Sequence, residues 1–114
     1  MEEEMHKRFY EERQKILRIK SSIHNFYDTI KEFDTKFMIG FEHFVKFERS
    51  EIRIKVSDIE PIEENGLNGT YTIYDMVVIY KEKDVEETYN ATTRIYNFPS
   101  IGENFDILAI FQTN

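Results

Sequence analysis

The chain has 114 residues, 40% of them hydrophobic and 15% aromatic, which is enough apolar surface for one core and too little length for two. It holds no cysteine, so disulfides, thiolate metal sites and a cysteine nucleophile are excluded. The net charge of −7 is unevenly placed: residues 1–36 carry eight Lys/Arg and eight Asp/Glu, and the remainder seven against fourteen. An acidic balance of this kind disfavours a broad basic face for duplex nucleic acid.

The acidic start, Met1-Glu2-Glu3-Glu4, has no apolar segment behind it, and no apolar run approaches the ~18 residues of a membrane span. The expectation is a cytoplasmic protein with no membrane contact. On that expectation Asn68-Gly69-Thr70 and Asn90-Ala91-Thr92 read as turn and strand chemistry, not as glycosylation sites.

From Met5 to Phe33 apolar residues recur in alternating steps of four and three: Met5, Phe9, Ile16, Ile19, Ile23, Phe26, Ile30 and Phe33, broken only at Glu12. That 3.5-residue period predicts one helix over residues 1–34, with no Gly or Pro to interrupt it and Ser21-Ser22 as its weakest point. At ~1.5 Å per residue it would be about 45 Å long. Ile16 to Phe33 is the part expected against a sheet. Residues 1–13 are more polar and are expected to project, leaving Met5, Phe9 and Ile16 as a face for a second copy or a partner. A basic cluster, Lys7, Arg8, Arg13, Lys15, Arg18 and Lys20, flanks the stripe, with Glu11–Lys15 as its favourably ordered ion pair.

After Asp34 the period becomes two. Phe37–Phe47 and Glu51–Ile59 predict a hairpin, with Ile52, Ile54 and Val56 inward, and the segment 60–69 is rich in turn residues. Residues 70–81 are apolar on both parities, which predicts a central strand covered by the helix on one face and partly covered on the other. Val85–Tyr96 and Phe105–Phe111 complete the pattern as strands. The whole predicts a single α+β domain over 1–114: the helix over 1–34 packed on a curved, mostly antiparallel sheet of four to five strands within 37–113. In outline this is similar to cystatin-like and nuclear-transport-factor-like folds, a likeness of element order that implies no function.

Chemistry-bearing motifs are sparse. There is no Gly-rich phosphate cradle, no G-x-S-x-G elbow and no Ser-His-Asp set, so no catalytic residue and no cofactor are assigned. His6, His24 and His43 lack ligand spacing, and Glu63-Glu64 with Asn65 and Asn68 lacks the order of a calcium loop. His43 and Asp75 both interrupt apolar strand faces and could meet as an acid–base pair in a pocket lined by Phe41, Phe44, Met76 and Phe105. A structural role for each is the plainer reading.

The tyrosines of the sheet fall on both parities, so some are expected beside charged rim residues, the usual make-up of a protein contact. Tyr74, Tyr80, Glu82, Glu86 and Glu87 are the residues expected there. The function this suits is a non-enzymatic, acidic, protein-binding module: an inhibitor or accessory protein of the phage, mobile-element or toxin-immunity kind. Its partner would be another protein, with a basic nucleic-acid-binding one the best match in charge. The alternatives are a small-molecule or minor enzymatic pocket at His43 and Asp75, and an assembly subunit forming a homodimer through the helix.

Overall fold

The computed structural model of the chain describes residues 2–63 and 69–113, with side chains from Lys7 onward apart from Glu63. One helix, α1 (Glu2–Glu32), precedes five strands: β1 (Glu42–Lys46), β2 (Ser50–Glu63), β3 (Thr70–Glu82), β4 (Val85–Phe98) and β5 (Gly102–Thr113). The strands form one antiparallel meander in the order β1-β2-β3-β4-β5. This is the α+β architecture the periodicities predict. The turn signals at Asn65-Gly66 and Asn68, and Glu64, lie outside the described residues.

α1 runs unbroken through Ser21-Ser22, because the buried Ser22 returns its hydroxyl to the carbonyl of Arg18 at 2.8 Å and leaves no orphan polar atom. It ends in a paired cap, in which the Asp34 and Thr35 amides bond the carbonyls of Lys31 and Ile30, with Asp34 at φ 50 where glycine is usual. That cap explains why the apolar stripe stops one step early. Ile19, Ile23, Phe26 and Ile30 are buried, but Phe33 lies past the last helical residue and is 74% exposed. Phe37 takes its place, packing edge-on to Phe26 at 4.8 Å and against Tyr74 at 5.1 Å.

The register decides which residues meet the helix. Ile52, Ile54 and Val56 of β2 stand opposite Tyr80, Val78 and Met76 of β3, which in turn stand opposite Glu87, Tyr89 and Ala91 of β4. All of these except Glu87 are buried beneath α1, together with Tyr74 and Thr93, and they form the core. Each fully buried aliphatic side chain here contributes about 1.5–3 kcal/mol.

Two expectations about the sheet are corrected. The first strand is not Phe37–Phe47 but Glu42–Lys46, because Gly40 at φ 91 turns the chain and its amide bonds Val56 ahead of the strand. The second face of β3 is also not covered: no described element lies on Tyr71, Ile73, Val77 and Ile79. They are half-buried by their neighbours within the sheet, as where Arg94 stacks 3.9 Å from the Tyr96 ring and 6.0 Å from that of Tyr71. That outer face interleaves Lys46, Arg53, Lys55 and Arg94 with Glu42, Glu51, Asp58 and Asp106, so it is mixed in charge.

Candidate protein-docking surface

The expected contact residues divide between two environments. Tyr74 and Tyr80 are 8% and 1% exposed, on the face that α1 covers, so their rings are core and not contact surface. The physical reason is parity, since both share the even-numbered face of β3 with Met76 and Val78. Glu86 is exposed on the opposite face, while Glu82 and Glu87 are half-buried on the helix side. The structure therefore gathers Tyr80, Glu82 and Glu87 at one end of α1 and separates Tyr74 and Glu86 from them.

What gathers there is a polar clamp. Lys15 Nζ donates to Glu87 Oε1 at 2.6 Å and to Glu12 Oε1 at 3.3 Å, and it stands 5.3 Å over the Tyr80 ring. The pairing of Lys15 is thus with Glu12 and Glu87, where i,i+4 spacing favours Glu11. The other oxygen of Glu87 accepts the Tyr89 hydroxyl at 3.1 Å and the Gln112 amide at 2.9 Å. Arg18 Nη1 donates to the Tyr80 hydroxyl at 3.1 Å, which donates onward to Glu82 at 3.1 Å. Burial alone would lower the Lys15 pKa, but the hydrogen bonds to Glu87 and Glu12 outweigh it and hold the ammonium well above its ordinary value. Tyr89 is pushed up to about 12, chiefly by burial, with Lys15 opposing and Glu87 adding. Every acceptor of Glu87 is engaged within the chain, so its chemistry is to fix the helix to β4 and β5.

The basic cluster therefore has two roles. Lys15 and Arg18 turn inward to the clamp, and Lys7, Arg8, Arg13 and Lys20 remain exposed. Ahead of the clamp every described side chain from Lys7 to Arg13 is exposed, including Phe9 at 81% and Tyr10 at 65%. Residues 2–14 amount to ~20 Å of helix. On one flank Phe9, Ile16 and the 47% exposed Leu17 border an apolar groove of about 540 Å³ over Glu12 and Arg13, rimmed by Arg8 and Lys20. Of the residues expected on this helix face, Phe9 and Ile16 are here, and the Met5 side chain lies outside the described residues. Leu17 and Tyr10 were not expected in a contact. The one hint in the sequence is that both sit off the stripe yet are large and apolar, which a fully covered helix does not require.

His43 and Asp75 do not pair, and the pocket alternative built on them is corrected. His43 faces α1, stacked on Phe26 at 5.0 Å with its Nε2 2.7 Å from Asn25 Oδ1, whereas Asp75 lies on the other face of the sheet and accepts the Thr92 hydroxyl at 3.3 Å. The lining expected for that pocket is dispersed too. Met76 is fully buried, Phe44 lies on the far face, and Phe105 stacks on Tyr27 at 4.4 Å. Burial holds the His43 pKa below its ordinary value, so the unfolded chain binds the proton more readily. Stability from this site is full above the unfolded value of about 6.5 and falls as pH drops toward the folded one. In urea midpoints measured across pH, His43→Gln should flatten that limb. An unchanged slope would assign the limb to other groups.

At the far end of α1, Tyr27 and Lys31 both donate to Glu103 of β5, the latter at 2.6 Å. Burial would raise the carboxyl, but Lys31 and Tyr27 outweigh it and hold it below its ordinary range. A cavity of about 290 Å³ lies beside this pair, floored by Phe37, Tyr74 and Ile95. Among the described residues no three His, Asp or Glu side chains stand close enough to hold a metal ion, and no helix is long and apolar enough to cross a membrane.

Fold and surface together define a class: an α+β domain that presents the first half of α1, clamped at Lys15, beyond an antiparallel meander. No family model, curated protein or solved structure matches the chain.

Proposed function

We propose that this chain is a non-enzymatic protein-binding module that works as a homodimer, docking through the projecting half of α1. The observation that carries the reading is the exposure of Phe9, Tyr10 and Leu17 on a helix whose later apolar residues Ile19, Ile23, Phe26 and Ile30 are buried. A single exposed leucine needs no explanation, but three large apolar side chains within nine residues, two of them bordering the groove, are a surface awaiting cover. The clamp supports the same reading, since it holds the projecting turns in a fixed direction and so lowers the ordering cost of binding.

This keeps protein binding as the function and moves the contact from Tyr74, Tyr80, Glu82, Glu86 and Glu87 of β3 and β4 to the helix. The blocking role of an inhibitor of a basic partner draws support from the net charge of −7 but from no surface of one sign, because the outer sheet face is mixed.

Light scattering after size exclusion, over a range of concentrations, tests the reading. The expected mass is that of two chains. Phe9→Glu should shift it to one chain that still melts cooperatively, with the melt lowered only by the stability that pairing itself contributes. A wild-type chain that stays monomeric at high concentration would leave the flank to some other occupant and overturn self-pairing.

A further inference from the structure

We infer that two copies pair their α1 helices antiparallel, with the two-fold axis between Glu12 and Arg13. The inference rests on the homodimer proposed above and adds its orientation and register. It starts from the groove, where Phe9 stands seven residues from Ile16 with Glu12 and Arg13 midway between them. An isologous contact must match a surface to itself. Turning a copy about an axis between residues 12 and 13 sets Phe9 against Ile16 of the second copy, and Ile16 against its Phe9. The same operation sets Glu12 against Arg13 and Arg13 against Glu12.

Charge decides between this and the parallel arrangement. A parallel pair aligns Glu12 with Glu12 and Arg13 with Arg13, two like-charge contacts at the centre of the interface. The antiparallel pair converts both into attractions and also opposes the helix dipoles. Glu12 is free to serve, since its side chain is 61% exposed even while it holds Lys15 at 3.3 Å.

The flank is accessible as well. Farther along α1 the same side carries His24 and Tyr27, which rest on Phe105 of β5, so the groove lies on the β5 side. The core contact is made by Ile19, Ile23 and Phe26 on a neighbouring side. A second helix along the groove therefore displaces nothing from the domain's own core.

The absence of cysteine gives a clean test. Under oxidising conditions the double variant Phe9→Cys/Ile16→Cys should form a disulfide-linked dimer with residue 9 of one copy joined to residue 16 of the other. Within one chain the two positions are ~10 Å apart along the helix and cannot bridge. Phe9→Cys alone should stay unlinked, because the two copies of residue 9 lie equally far apart. In parallel, Glu12→Arg should raise the dimer dissociation constant about tenfold through two new repulsions, and Glu12→Arg/Arg13→Glu should return it to within about threefold of wild type. A wild-type dimer that links efficiently through Phe9→Cys alone, or that the double charge reversal does not restore, overturns the orientation and leaves the homodimer standing. A wild-type monomer overturns both.

Discussion

Replacing Ile23 by alanine should cost about 2–5 kcal/mol of stability, while Leu17→Ala on the same helix, compared at concentrations dilute enough for single chains, should change it by less than about 0.5 kcal/mol. Both are β- or γ-branched aliphatics in a helix interior, so propensity barely separates them. Burial does: Ile23 is fully covered by the sheet and Leu17 is 47% exposed. Removing Ile23 leaves a void in the core between α1 and the sheet, whose backbones are held by ladder and helix bonds and cannot close in. Urea titrations followed by far-ultraviolet circular dichroism read the difference as a midpoint shift at constant slope. Equal midpoints for the two variants would mean that α1 does not seat on the sheet through this stripe.

The second large effect is expected at Glu87. Replacing it by leucine should cost about 2–3 kcal/mol, because the Tyr89 hydroxyl and Gln112 lose this acceptor and Lys15 loses its shorter bond, keeping only Glu12 at 3.3 Å. The Lys15 and Glu87 side chains are only 13% and 17% exposed, so water replaces the lost bonds poorly and salt screens the pair weakly. Lys15→Met should cost a similar amount. The double variant Lys15→Met/Glu87→Leu should recover much of the loss, since two apolar groups in a half-buried site leave no uncompensated charge. Additive costs in this cycle would show that the clamp is not a coupled pair. The projecting turns should also exchange their amide hydrogens faster in Glu87→Leu, as the first helix-to-sheet ion pair among the described residues is gone.

Much of this molecule was legible from local pattern. The 4-3 spacing of Ile16, Ile19, Ile23, Phe26 and Ile30 defines a helix and its buried side in the same stroke, because side chains three and four apart share a face. The alternation of Ile52, Ile54 and Val56 does the same for β2, and the exposed Phe9 follows from the polar neighbours that interrupt its stripe at Glu12. These are short-range properties, set by steric preference and by the need to hide an apolar face wherever it arises.

Long-range pairing was decided elsewhere. β3 is apolar on both parities, so its sequence cannot say which set the helix covers. The register with β2 and β4 places Tyr74 and Tyr80 inside, where they cannot be contact residues. His43 and Asp75 fail to meet for the same reason, since a pleated strand sends neighbouring parities to opposite faces and no loop rearrangement brings them together. The partner of Lys15 is likewise a tertiary fact. Helix spacing offers Glu11 and Glu12, but only the docking of α1 across β4 and β5 brings Glu87 within 2.6 Å. Sequence alone thus determined the elements and the amphipathic side of the helix, because those depend on residues a few positions apart. Tertiary structure decided which face of each element is spent on the core, because that depends on register between strands far apart in the chain, and what it left uncovered on α1 is the surface we propose for binding.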